Sequence, residues 1–343
     1  MIPYSRGIKR CCYSETRIRS IGQYRAGLLV LLLLCSIAHS LSAQNPREVN
    51  FDFEWQVGDV RIIHFETATE ETEEEGEKTT HFSKREITIE VIKDRPDGYL
   101  IRATLLNPFI QDIADHLGKT PEWSLRDEHI EVTLSISRFK SEIRPQNGEE
   151  VILKMRKSRE EILRQIPAEN ELAYLFPLIT ASTGPAFQTI GGIGEYFDEK
   201  FRFLLLPLRH NFITDSTIIV SGTRQNPIEL NMTDPYTTKF HLEKTAEGKY
   251  LLHEQTESDL ADFASYVDQM QGLNQTDTLD GDSPEENATT TATFKTNSLT
   301  LFDPESGWVK EAQSTTQIEF DNPHLSSFKT TVQEFIRLSK PAN

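Results

Sequence analysis

The chain has 343 residues and a formal net charge of −17 at neutral pH, from 53 acidic and 36 basic side chains. Such an acidic surface repels phosphate backbones and anionic membranes, so nucleic acid is excluded as an expected partner. The length suits one large domain or two smaller ones.

The first forty residues have the pattern of a secretory signal peptide. Six basic residues precede an apolar run from Ala26 to Ala38, and small residues follow it up to Ala43. This order is typical of a segment that is removed from the mature protein. We therefore predict a signal peptide over residues 1–43, Sec-type export, and a mature protein in the periplasm or outer cell envelope.

Two alternatives for the leader stay open. An uncleaved leader would be the only membrane contact, although its apolar run falls short of the roughly 20 residues that span a bilayer. A lipid-modified Cys35 would need small residues before it, where the sequence has Leu33 and Leu34. All three cysteines lie in this leader, so the mature chain is predicted to contain no disulfide, cysteine-bound zinc or thiol nucleophile.

From residue 51 onward the dominant hydrophobic period is two. Alternation is clearest in four segments, Phe51–Val57, Arg85–Val91, Tyr99–Leu105 and His129–Ile136. It predicts half-buried antiparallel strands with one face in water. The strand pattern resumes at Phe294 and continues to Leu338. In its last part the spacing of two persists, but apolar and polar residues no longer alternate strictly.

Helices are predicted mainly in a middle segment, residues 156–186. A capping-box spacing places one helix start at Ser158, with Glu161 three residues later. Further helical patterns lie at residues 107–118 and 258–270. The Asn147-Gly148 pair predicts a hairpin, and Thr189–Phe197 is interpreted as a flexible loop. The stretch 272–292 is rich in Thr, Asp and Asn and predicts a mobile acidic loop within a single domain, residues 44–343.

The segment Phe302–Val309 is either a small catalytic constellation or a turn. Asp303-Pro304 is a turn-starting pair, and Gly307 can adopt the positive φ that such turns need. Strand-like runs flank the segment on both sides, so we predict a hairpin turn. No catalytic or cofactor-binding residue is predicted anywhere in the chain, and no cofactor is expected.

A hairpin around residues 244–250 supplies the candidate metal ligands. His241 and His253 face each other on one side of the sheet if the turn has three residues, with Glu243 as a third ligand. Two imidazoles and one carboxylate are a reasonable ligand set for zinc. The alternative is that both histidines are ordinary surface residues.

Four short patterns carry a family resemblance. They are the leader ending in "SLSAQ", the segment Trp55–Val60, the segment Asn147–Val151 and the turn Asp303–Gly307. With them the chain resembles uncharacterised exported proteins of Bacteroidetes-type bacteria, and its architecture resembles the half-barrel of lipoprotein carriers. The resemblance implies a strongly curved antiparallel sheet with helices on its concave side. It carries over no functional residues, since that family has no established activity.

Together these patterns predict an α+β, β-rich fold, a curved antiparallel sheet or half-barrel with a few helices from the middle segment packed on it. The predicted function is that of a non-enzymatic exported protein of the cell envelope. Leu172, Leu175, Phe176 and Ile179 either fill the core or line a cavity for an apolar ligand such as a lipid. The alternatives are a hydrolase using the His241–His253 pair, and a surface module that binds a protein or a glycan.

Overall fold

The alternating apolar residues form the strands of one large sheet. The computed structural model describes residues 48–49, 51, 55–73, 76–117, 129–137, 142–166, 171–181, 183–229, 232–275, 290–322 and 327–341. The predicted leader, residues 1–43, lies outside these residues. Within the described part of the chain, no helix has the length and apolar character needed to cross a membrane.

Strands and helices alternate in blocks along the chain. The strands are β1 (Glu48–Val49), β2 (Val60–Glu73), β3 (Lys78–Arg95), β4 (Gly98–Leu106), β5 (His129–Ser137), β6 (Ile143–Pro145), β7 (Phe212–Ile213), β8 (Thr217–Gln225), β9 (Thr233–Lys244), β10 (Tyr250–Asp259), β11 (Thr291–Asp303), β12 (Trp308–Asp321) and β13 (Phe328–Ser339). The helices are α1 (Pro108–Leu117), α2 (Gly148–Gln165), α3 (Glu171–Ile179), α4 (Thr183–Ala186), α5 (Ile190–Lys200), α6 (Arg202–Arg209) and α7 (Ala261–Gln275).

Eleven strands form one antiparallel sheet in the order β6-β5-β4-β3-β2-β13-β12-β11-β10-β9-β8. The last strand of the chain, β13, pairs with β2 in the middle of the sheet. Strands β1 and β7 form a separate two-stranded sheet. This architecture confirms the prediction of a β-rich α+β fold.

The sheet is strongly curved but open. If it were flat, ten spacings of about 4.8 Å would separate its edge strands β6 and β8 by roughly 48 Å. Instead, Ile143 and Pro145 of β6 line the same cavity as Val220 and Arg224 of β8. Helix α5 also lines that cavity. The sheet therefore bends around the helices, while its two edge strands do not pair with each other.

Strands β2–β6 are named here the packed half, and their concave face is apolar and buried over β4 and β5. The predicted inward residues of β4 and β5 are at most 5% exposed, and they are Tyr99, Ile101, Ala103, Leu105, Ile130, Val132, Leu134 and Ile136. Helices α1 and α2 contact these strands. The alternation in β4 and β5 was a correct guide to burial because helices cover these inward residues.

Asn147-Gly148 does not form the predicted hairpin, and that prediction is wrong. Gly148 begins helix α2 instead. The Asn147 side chain accepts a hydrogen bond from Thr133 N–H at 2.8 Å and donates to the Glu131 carbonyl at 3.2 Å. A side chain at Gly148 would meet Ile190 at 2.9 Å. The hydrogen bonds of Asn147 with β5 and the close packing of Gly148 against Ile190 thus explain why these two residues stand here.

Helix α2 starts ten residues before the predicted position at Ser158. Ser158 lies inside the helix and is 2% exposed, and its hydroxyl accepts a hydrogen bond from the Asn107 side chain. The capping-box spacing was therefore misleading, because this serine satisfies a buried amide. The helices of the middle region extend from residue 148 to 209, beyond the predicted limits of 156–186.

Residues Thr189–Phe197 are helical, and the prediction of a flexible loop is wrong. Thr189 caps helix α5, and its hydroxyl accepts a hydrogen bond from Gly192 N–H at 2.9 Å. A Cβ at Gly192 would lie 2.6 Å from the Ala186 carbonyl oxygen. The glycines here permit close packing between α4 and α5 rather than flexibility.

Two other predicted boundaries also differ from the structure. In Phe51–Val57, the described residues form no strand, although Phe51 and Trp55 are buried. Within the predicted acidic loop, α7 continues to Gln275 and β11 begins at Thr291. Residues 276–289 of that loop lie outside the described residues.

The segment Phe302–Val309 is a hairpin turn between β11 and β12, as predicted. Gly307 has φ of +66° and donates its N–H to the Asp303 carbonyl at 3.0 Å. Although burial opposes it, the pKa of Asp303 is lowered by hydrogen bonds from Lys310 and the Glu305 N–H. Trp308 stacks on Trp55 with ring centres 4.2 Å apart. These carboxyl and aromatic groups hold the turn in place.

Candidate functional site

Three adjoining cavities follow the concave side of the sheet. The first two lie mainly over strands β8–β13, named here the open half, and the third extends onto β2, β3 and β4. Their volumes are about 1130, 670 and 440 Å³. Arg202 and Arg224 line both the first and the second cavity. Lys200 and Glu334 line both the second and the third. The three spaces therefore form one continuous groove between the sheet and helices α5 and α6.

The floor of the groove carries a threonine row, defined as Thr238, Thr256, Thr296 and Thr316. Strand register places these residues directly opposite one another across β9, β10, β11 and β12. The hydroxyls pair at 2.8 Å between Thr238 and Thr256 and at 3.0 Å between Thr296 and Thr316. The threonine row therefore gives this part of the groove a floor of hydroxyl and methyl groups.

A second polar row lies beside the threonine row. Glu254, Ser298, Ser314 and Glu334 are successive cross-strand neighbours. Burial raises the pKa of Glu334, while the charge of nearby Lys200 acts against that rise. The groove therefore holds an acidic side chain that is biased towards its neutral form.

An apolar patch borders these polar rows in the second cavity. It is defined by five side chains, Phe65, Phe203, Leu206, Phe294 and Ile336. The Phe65 and Phe203 rings pack edge to face, with centres 6.2 Å apart. A bound molecule would find hydrogen-bonding hydroxyls on one side and aromatic and aliphatic surface on the other.

The predicted metal ligands lie outside this groove. His241 and His253 are direct cross-strand neighbours, which is the arrangement expected of the three-residue turn among the alternatives. Their Nε2 atoms lie 3.5 and 3.7 Å from the same Glu243 carboxylate oxygen. Nevertheless, among the residues that the structure describes, no group of three or more His, Cys, Asp or Glu side chains is placed to hold a metal ion. The zinc interpretation gains no support from this geometry.

The predicted apolar ligand residues of α3 lie in or against the core instead of the groove. Leu172 and Phe176 are 7% and 1% exposed, and Phe176 packs on Phe109 with ring centres 6.1 Å apart. Ile179 packs against the same core cluster. Among the described side chains that line the groove, none comes from α3. For Leu172, Phe176 and Ile179, core filling is the alternative observed, whereas Leu175 is half-buried and lines none of the three cavities.

Sequence reasoning missed the residues that line the groove. The available signal was polarity within one phase of a strand, since Leu252, Glu254, Thr256 and Ser258 all share the inward face of β10. Such a run departs from the apolar inward phase expected of a core strand. The same departure was visible near Glu334, where the alternation kept its phase but not its polarity.

Comparison with known proteins identifies no family. No protein-family model matches the chain, and no curated protein matches it by sequence. One solved structure, which concerns lipid–protein interactions in lipovitellin, is similar over 84% of this chain at 11% identity with a TM-score of 0.37. The chain spans only 26% of that lipovitellin chain. A similarity at this level supports no inference about function.

Proposed function

We propose that this protein is an exported, non-enzymatic binding protein of the cell envelope that holds an amphiphilic ligand of the lipid class. The observation that carries the proposal is the groove of the open half, with its threonine row beside its apolar patch. Cavities of a few hundred to about a thousand Å³ with a few placed polar groups are typical of ligand sites. The leader pattern of residues 1–43 supports export.

The character of the groove favours an amphiphile over a wholly apolar molecule. An apolar chain can cover Phe203, Leu206 and Ile336, where burial of its surface stabilises the complex. Polar atoms of the same molecule can bond to the threonine hydroxyls, which would otherwise remain solvated or bonded to one another. A purely hydrocarbon ligand would instead desolvate those hydroxyls without replacing their hydrogen bonds.

The experiment is native mass spectrometry of the full-length product, expressed with its leader and purified without detergent from the envelope fraction. We expect a chain that begins near residue 44 and carries a co-purified molecule of defined mass. Solvent extraction should then return a molecule with an acyl or alkyl chain. A ligand-free protein that also binds no added amphiphile would contradict the proposal.

A matched pair of variants links the ligand to the groove. Thr316→Phe places a ring in the groove, whereas Thr315→Phe places the same ring on the opposite face of β12. We expect the first variant to lose most of the bound ligand and the second to retain it. Equal occupancy in both variants would locate the ligand elsewhere.

The threonine row also suits a glycan, which is the second candidate. Sugar hydroxyls can exchange hydrogen bonds with a row of protein hydroxyls. The mass of the co-purified molecule separates the two candidates, because an oligosaccharide has no alkyl chain. An oligosaccharide displaced by Thr316→Phe would favour the surface module over the lipid-class carrier.

A further inference from the structure

Two arginines lie where the first and second cavities adjoin, and this pair is named here the arginine neck. Arg202 is the first residue of α6, and Arg224 lies near the end of β8. Both side chains line the boundary between the first and second cavities. In an acidic chain, two guanidinium groups converge here from elements that are distant in sequence.

Arg224 is held in place without using all of its hydrogen-bond donors. Its guanidinium carbon lies 3.3 Å from the centre of the Phe294 ring, so the two groups stack. Its Nε atom is buried and has no hydrogen-bond partner among the described residues. A buried guanidinium N–H without an acceptor is unfavourable.

The carboxyl group nearest to Arg224 in the sheet does not satisfy that donor. Asp234 is the direct cross-strand neighbour of Arg224 and is fully buried. Neither of its carboxylate oxygens accepts a hydrogen bond from Arg224 in the part of the chain that the structure describes. Burial raises the pKa of Asp234, although a hydrogen bond from the Asn226 side chain and the charge of Arg224 act against that rise.

Arg202 completes the neck from the helix side. It donates to the Glu254 carboxylate, and its side chain remains 54% exposed in the groove. A guanidinium group has five N–H donors, so one contact with a carboxylate leaves donors for a ligand. Burial lowers the pKa of Arg224, and the positive charge of Arg202 lowers it further, while Asp234 acts in the opposite direction. An anion bound between the two arginines would relieve this repulsion.

We propose that the arginine neck binds the anionic group, a phosphate or a carboxylate, of the amphiphile in the groove. This inference rests on the proposed function and names the chemical class of its ligand. Arginine presents planar, paired N–H donors that match the oxygens of these anions. With the anion at the neck, the alkyl chain extends over Phe203, Leu206 and Ile336 in the second cavity.

The test is calorimetric titration of the full-length protein, purified from the envelope and freed of ligand by solvent extraction and refolding. The probes are dodecyl phosphate, uncharged monolaurin and inorganic phosphate, with both amphiphiles below their micellar concentrations. We expect Arg224→Gln and Arg202→Gln each to weaken dodecyl phosphate binding about tenfold or more, the usual effect of losing a charged hydrogen bond. Both variants should leave monolaurin affinity within about twofold.

Arg164→Gln is the matched control. Arg164 lies on α2, is 75% exposed and pairs with Glu160 at 3.5 Å, outside the groove. It should leave the affinities for all three probes unchanged. Arg202→Gln alters a half-exposed side chain, so it tests the neck even if the more buried Arg224→Gln variant does not fold.

The outcomes separate this inference from the proposed function. If wild-type protein binds monolaurin as tightly as dodecyl phosphate, the anion site is overturned while the amphiphile groove stands. Equal losses for both amphiphiles in the variants would also overturn it, because the arginines would then act only on the shape of the groove. If only inorganic phosphate binds and Arg224→Gln abolishes that binding, the neck is a site for free phosphate and the amphiphile function fails. Binding of no probe would overturn both.

Discussion

The packed half and the open half of the sheet are built from the same kind of strand but have different interiors. In the packed half, the inward positions of β5 are Ile130, Val132, Leu134 and Ile136, and helices cover them. In β10 of the open half, the inward positions are Leu252, Glu254, Thr256 and Ser258, so polar residues follow the single leucine. The groove runs over these polar residues.

The difference shows how helix placement divides one sheet into a core and a site. Helices α1 and α2 contact β3, β4 and β5, so polar inward residues directly beneath these helices would lie unsolvated. Over the open half, α5 and α6 leave a groove in which hydroxyls can meet solvent or a ligand. Polar residues on an inward strand face therefore indicate the part of the sheet that the helices do not pack against.

Gly98→Ala should have the largest effect, because it acts within the packed half. A Cβ at Gly98 would lie 1.9 Å from the Ile136 carbonyl oxygen, a contact that requires β4 and β5 to separate. We expect the free energy of unfolding to fall by about 3 kcal/mol or more, measured by urea denaturation. Gly184→Ala, which meets nothing within 4 Å, is the control and should be tolerated. Similar stabilities for the two variants would contradict the described packing of β4 on β5.

Asn107→Ala should have the next largest effect. Asn107 is fully buried, donates to Ser158 and accepts a hydrogen bond from the Phe109 N–H at 3.0 Å. Its loss leaves a buried hydroxyl and an uncapped helix start, which should cost about 2 kcal/mol of unfolding free energy. Asn297→Ala, at an exposed position in the open half, should change it by less than about 0.5 kcal/mol. An equally large loss of unfolding free energy in Asn297→Ala would contradict the expected difference between the packed half and the open half.

Glu334→Gln should stabilise the protein, in contrast to the changes in the packed half. Burial raises the pKa of Glu334 above the ordinary value of 4.5, and Glu199 adds to this while Lys200 and Arg85 oppose it. Because the folded state binds the proton more tightly, stability falls as pH rises from 4.5 through the raised pKa. Glutamine does not titrate, so the variant should have the higher melting temperature at pH 7. That difference should vanish as pH falls below 4.5.

Thermal unfolding between pH 4 and 8 checks this expectation. Glu311→Gln, at an exposed position on β12, is the control for the removal of one negative charge. A Glu334→Gln variant that is less stable than wild type at pH 7 would show that the carboxylate has a stabilising partner in the groove.

Thr316→Val should have the smallest effect on stability. The substitution removes the 3.0 Å hydrogen bond to Thr296, but both positions face the groove, where water can satisfy the remaining hydroxyl. We expect a change below about 1 kcal/mol in unfolding free energy. The same variant should weaken ligand binding, measured by the occupancy of the purified protein. A large loss of stability with unchanged occupancy would make the threonine row a structural element.

Several parts of the fold were predictable because they depend on local patterning. The period of two in Tyr99–Leu105 and His129–Ile136 identified both the strands and their buried faces. The turn at Asp303–Gly307 followed from residue types with strong backbone preferences. The sequence left the length of the turn between β9 and β10 open, and only the structure shows that His241 and His253 are direct cross-strand neighbours. Nor could the sequence predict that this pair lies outside the groove.

The misinterpreted segments share one physical cause. Asn147 and Ser158 form hydrogen bonds with residues that are distant in sequence. Gly148 and Gly192 lack a side chain where a residue of a neighbouring helix approaches closely. Propensity describes an isolated segment, and tertiary contacts override it wherever a buried amide or a close approach must be satisfied.

The sequence by itself determined that this protein is an acidic, β-rich chain whose strands have one buried face, since alternation and charge are local properties. Only the tertiary structure decided which inward faces become core and which become the groove. That decision depends on how far the sheet curves and where α5 and α6 lie, and both arise from contacts between distant segments. The arginine neck illustrates this, because Arg202 and Arg224 meet only when a helix of the middle region lies across a strand at the sheet's edge.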